Sequence, residues 1–227
     1  MPTITADQRR PPRHPVQLPL RHKQKAPASP WTGIGWTHNL SEGSACVELN
    51  ERLIPSTLLQ VSLQTERGAI EVEARVIWEV GAERAGGTEG GILHGVLFTH
   101  LAPAQLQLLR DLLLSRQGER RAGLRLPADL VVTCRPQGQG DLPLQGRTED
   151  LGRGGLLLRL TKAFPPGTPV ELTLHQPSGP VTAEGEIVWT DPPEKCKRGE
   201  PIRHGVRFTA LGWSRSLSLA LVLSRAA

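Results

Sequence analysis

The sequence predicts a mainly β chain built as two copies of one antiparallel domain, each copy closing with an α-helix. Three observations carry this. The segment His94-Gly95-Val96-Leu97-Phe98-Thr99-His100-Leu101 returns as His204-Gly205-Val206-Arg207-Phe208-Thr209-Ala210-Leu211, a shift of 110 residues. Other anchors repeat at almost the same distance: Trp78 with Trp189 and Asn39 with Asp150 at 111, Arg13 with Arg125 at 112. Between the anchors run short apolar stretches broken by Gly and Pro, as strands joined by tight turns require. A period this long exceeds the roughly 20–50 residues of solenoid repeats and suits two separately cored domains.

Taken in order, residues 1–30 are rich in Pro and basic side chains with little periodicity, and read as an extended arm leading into a first strand. Strands are expected at 45–49, 58–63, 70–80 and 92–99, the third alternating through Val72, Ala74, Val76 and Trp78. Pro55, Gly68 and the glycines from Gly86 to Gly91 separate them. The second copy repeats the scheme at 130–133, 155–160, 170–174, 181–190 and 202–209, with turns at Pro165-Pro166-Gly167 and Pro177-Ser178-Gly179. Such a series suits an antiparallel barrel or sandwich. A helix follows each: over 103–115 the apolar stripe is Leu106, Leu109, Leu112 and Leu113, and over 213–223 it is Leu217, Ala220 and Leu221. Both are expected to plug or flank a barrel. The first domain is expected over 1–116, with 1–12 as a flexible basic arm. The second is expected over 117–227, with 116–125 as the linker and an arginine arm.

Composition narrows the function classes. A net charge of +5 and a pI near 9.6 lean basic, and the cationic surplus sits mainly in the second copy. That points to a local anionic partner more than to a nucleic-acid coat. Tyr is absent and Phe occurs three times, too few aromatics for a barrel that stacks bases along its strands. Nucleic acid is therefore disfavoured as a partner. The three cysteines, Cys46, Cys134 and Cys196, are odd in number and lack metal-ligand spacing. No charged leader precedes an apolar core, and no apolar run approaches the roughly 18–20 residues of a membrane span, so a cytoplasmic, reduced chain is expected. No acid–base pair, nucleophile–base set or metal cluster stands out. Enzyme is the weakest reading, with no catalytic and no metal residues assigned.

Arg121-Ala122-Gly123-Leu124-Arg125 is followed by Asp150-Leu151-Gly152-Arg153-Gly154-Gly155 and then by His204-Gly205-Val206-Arg207-Phe208. These pieces resemble the signature of PilZ domains, bacterial receptors for the second messenger cyclic di-GMP. That signature is R-x-x-x-R, then D/N-x-S-x-x-G at the start of the next strand, then a strand ending in G-[VI]-x-F. The first copy resembles it through Arg9-Arg10-Pro11-Pro12-Arg13, Asn39-Leu40-Ser41-Glu42-Gly43-Ser44 and Gly95-Val96-Leu97-Phe98. The resemblance spans almost the whole chain. It implies two tandem PilZ-like antiparallel β-barrels, each followed by a C-terminal helix, in a non-enzymatic cyclic di-GMP receptor or adaptor without a further cofactor. It places the preferred site on Arg121, Arg125, Asp150, Gly152 and Gly155, and a weaker one on Arg9, Arg13, Asn39, Ser41 and Ser44.

Physical chemistry reaches the same residue types. A cyclic dinucleotide offers phosphates and guanine edges, and the planar arginine fork bonds either bidentately and stacks on a purine. An Asp or Asn meets a guanine edge, a Ser hydroxyl adds a small contact, and a closing Gly lets backbone N–H approach the ligand. Ser44 in place of the final Gly is expected either to strain a positive-φ position or to crowd the ligand, at a cost on the order of 1 kcal/mol. Gly152 in place of Ser is expected to lose a hydrogen bond of roughly 0.5–1.5 kcal/mol, so that restoring Ser strengthens binding if the backbone there tolerates a side chain. Binding is expected to order the arginine segment, alter the arrangement of the domains and signal to a protein partner of unknown identity. The alternatives are a degenerate PilZ interaction module that no longer binds nucleotide, and a basic nucleic-acid-binding barrel. Trp78 and Trp189 are expected in the core, and His94 and His204 as strand residues rather than metal ligands. Trp31 and Trp36 have no counterparts in the second copy and receive no function.

Overall fold

The computed structural model describes residues 12–25, 33–81, 90–116, 123–137, 142–192 and 199–224. The first copy holds β1 (Pro19–Gln24), β2 (Gly33–Leu40), β3 (Ser44–Leu49), β4 (Leu58–Thr65), β5 (Gly68–Val80), β6 (Ile92–His100) and α1 (Pro103–Ser115). The six strands close in the order β1-β2-β3-β6-β5-β4, all pairs antiparallel, with β4 returning to β1. The second copy holds β7 (Arg125–Pro127), β8 (Val131–Pro136), β9 (Leu144–Gly152), β10 (Gly155–Leu160), β11 (Pro169–His175), β12 (Val181–Thr190), β13 (Ile202–Ala210) and α2 (Trp213–Leu223). Its strands β8 to β13 close in the same cyclic order, and β7 pairs alongside β9. Two antiparallel barrels, each followed by a helix, are thus the architecture.

The repeat extends to irregularities. Both barrels are bulged in the ladder between the long strands: Val76 pairs Val96 and Trp78 pairs Gly95, while Ile187 pairs Val206 and Trp189 pairs Gly205. The extra residues, Ile77 and Val188, are turned outward. Each indole lies over the glycine opposite, where a Cβ would come within 2.1 Å of Trp78 Nε1 and 1.9 Å of Trp189 Nε1. Glycine is required there by close approach. A second shared bulge falls at His38 and Glu149, beside Asn39 and Asp150.

A buried threonine joins the entering chain to each barrel. Leu18 N–H donates to Thr37 Oγ1 at 2.8 Å, and that hydroxyl donates to the Val16 carbonyl. Thr148, 111 residues on, accepts from Leu130 N–H at 2.9 Å and donates to the Ala128 carbonyl. His94 and His204 are equally matched. Their Nε2 atoms accept from Leu53 N–H at 3.1 Å and Phe164 N–H at 3.2 Å, while Nδ1 faces the carbonyls of Ile92 and Ile202. Both are strand residues tying down a loop, and burial lowers their pKa values.

Two strands escaped the sequence reading, β2 and β9. They carry Gly, Thr, Asn, Asp and Arg in place of a clean apolar alternation, and the bulge interrupts what periodicity remains. The motif Asp therefore sits near the end of β9, and Gly155 opens β10 across a two-residue turn. A third strand without a counterpart in that reading, β7, begins at Arg125, the last residue of the expected 116–125 linker.

α1 packs on β5 of its own barrel. α2 reaches both barrels, packing on β12 and on β1 and β2 of the first. Trp36, fully buried, donates from Nε1 to the Ser216 carbonyl at 3.1 Å, and Trp213 Nε1 donates to Asn50 Oδ1 at 3.3 Å. One continuous set of buried apolar residues runs from Val16 to Leu223. Trp36 thereby acquires a role that the repeat could not supply, since it serves the contact between copies. Among the described residues no helix is long and apolar enough to cross a membrane.

Candidate ligand site

Two cavities occupy corresponding positions on the two barrels. The second-barrel cavity, about 240 Å³, is lined by Arg125, Gly152, Gly154, Gly155, Val188 and Arg207, with Gln17 from the first copy. The first-barrel cavity, about 380 Å³, is lined by Arg13, Ser41, Gly43, Ser44, Ile77 and Leu97, with Trp78 at its wall. Position by position the linings match: Arg13 with Arg125, Ser41 with Gly152, Ser44 with Gly155, Ile77 with Val188, and Leu97 with Arg207. Neither cavity is large for a dinucleotide against the roughly 300–1,000 Å³ of ordinary ligand pockets.

In the second barrel β7 runs beside the end of β9, pairing Arg125 with Gly152 and Pro127 with Asp150. This register puts the Arg125 guanidinium over the site, where Nη1 donates to Asp150 Oδ1 at 3.3 Å and Nη2 to the Val206 carbonyl at 3.5 Å. Both side chains stay about a quarter exposed, so the fork keeps donors free for an anion. Arg207 across the cavity pairs with Glu186 at 3.0 Å and is largely exposed. Gly155 has φ +154°, and a Cβ there would stand 2.1 Å from the Val206 carbonyl oxygen. The turn can close against β13 only through glycine.

The first site keeps the positions and changes the chemistry. Arg13 Nη2 donates to Ser44 Oγ at 3.2 Å, and the Ser41 and Ser44 hydroxyls are 2.8 Å apart. Arg13 and Asn39 are not brought together, and Asn39 Oδ1 is buried without a hydrogen-bond partner among the described residues. Leu97 is exposed and apolar where Arg207 stands in the other copy, while Ile77 and Val188 are alike exposed and apolar.

Several expectations need correction. Ser44 is not strained: among the described residues only Ser56 is a non-glycine with positive φ. Ser44 sits in regular pairing with Leu97, and its hydroxyl is satisfied. Gly152 is not a vacancy awaiting serine, because a Cβ there would lie 2.3 Å from the Leu124 carbonyl oxygen. Trp78 is not core. It is 37% exposed and lines the first cavity, and Trp189 is half-buried. Arg9 and Arg121, with Arg10, Arg120, Trp31 and Cys196, lie outside the described residues. Cys46 and Cys134 are free and buried, and burial raises both thiols, Cys134 to about 12.

Arg153 went unassigned in the sequence. It lies inside the motif turn, yet its guanidinium ion-pairs with Glu48 of β3 and stands 5.8 Å and 5.7 Å from the ring centres of Trp36 and Trp213. Burial pushes the Glu48 carboxyl up, but hydrogen bonds from His38 and Arg153, with their charges, outweigh it and hold the pKa at about 2. The signal was present as the lone side chain in Gly152-Arg153-Gly154-Gly155.

The sequence model of the PilZ domain matches residues 7–115 and again residues 116–212. The chain belongs to the PilZ family. Solved structures similar to this tandem PilZ chain include the Bacillus subtilis inhibitor of motility MotI/DgrA. That structure is 11% identical, with 93% of this chain and 95% of that one covered and a TM-score of 0.40. PlzA of Borreliella burgdorferi, in complex with c-di-GMP, is 12% identical over 91% and 88%, with a TM-score of 0.36. YcgR of Escherichia coli, also in complex with c-di-GMP, is 13% identical over 91% and 82%, with a TM-score of 0.37. No curated protein matches the chain.

Proposed function

We propose that this PilZ chain is a non-enzymatic receptor for cyclic di-GMP, and that the second barrel holds the working site. The observation that carries the reading is the pairing of Arg125 with Asp150 at the mouth of a cavity floored by Gly152 and Gly155. Arg125 supplies a forked cation for phosphate or for guanine O6 and N7, and Asp150 accepts from a guanine N–H edge. Gly155 admits the ligand close to the backbone. Arg121 acts as the second arginine of the arm. Ligand uptake redistributes Arg125 from Asp150 to the nucleotide and orders the arm, and the altered arrangement of the barrels is read by a protein partner in the cytoplasm.

The first barrel's cavity, built on Arg13, Asn39, Ser41 and Ser44 with Arg9 as its outer arginine, is the weaker site. Leu97 stands where the second site has Arg207, and Arg13 meets the neutral Ser44 hydroxyl where Arg125 meets the Asp150 carboxylate. Both features favour a first barrel that binds nucleotide poorly. The first domain is taken as residues 1–116 and the second as 117–227. Titration calorimetry with cyclic di-GMP, beside GTP and a short single-stranded oligonucleotide, tests this reading. One tight site for cyclic di-GMP, weakened at least tenfold in Arg125→Ala, supports it. Equal heats for all three ligands refute it.

A further inference from the structure

Corresponding turns in the two barrels are anchored differently. In the first, Glu42 holds the place of Arg153 and pairs with Arg110 of the same barrel's helix α1 at 2.9 Å. In the second, Arg153 leaves its own barrel and enters a slot formed by β2 and β3 of the first barrel and by Trp213 of α2. Its partners are Glu48 of β3, 5% exposed, and the rings of Trp36 and Trp213. His38 of β2 shares the same carboxylate at 2.8 Å, and Gly91 N–H donates to its other oxygen at 3.1 Å. A carboxylate this buried needs its cation, and the two aromatic faces favour a planar guanidinium over an ammonium.

Arg153 is also the only side chain on the turn. Gly152, Gly154 and Gly155 surround it, and a run of glycines loses more conformational freedom on ordering than any other sequence. Backbone pairing holds both ends of the turn, Gly152 against Arg125 and Gly155 against Arg207, and Arg153 is the side chain through which the first barrel grips it. A second contact runs the same way. Gln17, in the chain entering the first barrel, lines the second barrel's cavity, and its backbone bridges Gly123 and accepts from Leu124 N–H at 3.4 Å.

We propose that the ligand site of the second barrel is shared: the first barrel positions its turn through Glu48 and Arg153 and supplies Gln17 as part of its wall. Arg153 is a positioning residue, acting through the glycine turn, and Gln17 contacts the ligand directly. The first barrel is then a working part of the receptor, and ligand at the second barrel and docking of the first favour one another reciprocally. This rests on the functional reading above.

The test is calorimetry with cyclic di-GMP on the full chain, comparing wild type with Gln17→Ala, Arg153→Ala, Arg153→Lys, Glu48→Gln and Glu42→Ala. Arg153→Ala should weaken binding about tenfold, Arg153→Lys less, and Gln17→Ala roughly 2- to 10-fold, the range of one neutral hydrogen bond. Glu42→Ala, the same position in the first barrel, should leave the affinity unchanged with the same single site. Partial rescue by lysine separates anchoring from bulk stability. If Arg153→Ala fails to fold, Gln17→Ala and Glu48→Gln decide. Wild-type affinity in Gln17→Ala and in the Arg153 or Glu48 variants overturns the shared site while leaving the receptor intact. A wild-type chain that binds no cyclic di-GMP overturns the functional reading, and the shared site with it.

Discussion

Gly152 faces the backbone of Leu124 so closely that a Cβ would stand 2.3 Å from the Leu124 carbonyl oxygen. The contact exists because β7 lies flat against the end of β9, which is also what aims Arg125 at the cavity. Gly152→Ser must push β7 away. We expect it to destabilise the second barrel by about 1–3 kcal/mol and to weaken cyclic di-GMP binding. Urea unfolding and calorimetry on the same sample check both, and a tighter-binding serine variant would contradict the packing described.

Gly205 carries a similar constraint from another neighbour, the indole of Trp189, whose Nε1 would lie 1.9 Å from an added Cβ. Gly205→Ala should cost about 1–3 kcal/mol. Gly95→Ala should cost a comparable amount beneath Trp78, where the first barrel repeats the arrangement. Equilibrium unfolding of both variants measures this, and near-neutral values would mean that the indoles swing aside freely.

The architecture was legible because the repeat lies in residues that packing demands. Gly95 and Gly205 sit under their tryptophans, and His94 and His204 hold their loops, so these letters return at nearly constant spacing. The site was legible as residue types and less so as geometry. Asn39 and Asp150 stand on β2 and β9, strands too polar and too bulged to show an apolar alternation. Tryptophan usually argues for the core, but the bulges at Ile77 and Val188 turn Trp78 and Trp189 toward the rim. Contacts between copies leave no repeat, so Trp36 gives no sign of its role and Arg153 gives only its isolation among glycines.

Thr148 offers a test of the join between arm and barrel. Its buried hydroxyl accepts from Leu130 N–H and donates to the Ala128 carbonyl, between β7 and β8. Thr148→Val keeps the shape and removes both bonds, leaving a buried donor and acceptor unpaired. We expect a loss of about 1–3 kcal/mol, and the same for Thr37→Val. Urea midpoints for the two variants decide it.

Stability should fall on mild acidification. His22 is 1% exposed, and burial, with the charge of His94 second, lowers its pKa from 6.5 to about 4. Burial is the leading cause for His94 and His204 as well. The Glu51 carboxylate stands 3.3 Å from His22 Nε2 but is largely exposed, and burial prevails. Below about pH 6.5 the unfolded chain takes up protons that the folded histidines refuse, so stability present above that pH is lost as pH falls toward 4. Glu48, held at about 2 against an ordinary 4.5, adds a further loss between those values. Urea midpoints should drop from pH 7.5 to pH 5, and His22→Gln should flatten the slope. A pH-independent midpoint over that range would contradict the burial of these rings.

The most direct measurement is the affinity of the full chain for cyclic di-GMP before and after Arg125→Ala. Arg125 is the described arginine that meets Asp150 at the glycine turn, and losing a charged hydrogen bond costs about 1.5–3 kcal/mol. We expect one site per chain in the wild type and roughly 10- to 150-fold weaker binding in Arg125→Ala, with Arg13→Ala nearly unchanged. Equal affinity in the wild type and Arg125→Ala, or a loss confined to Arg13→Ala, would contradict the assignment of the second barrel as the receptor site.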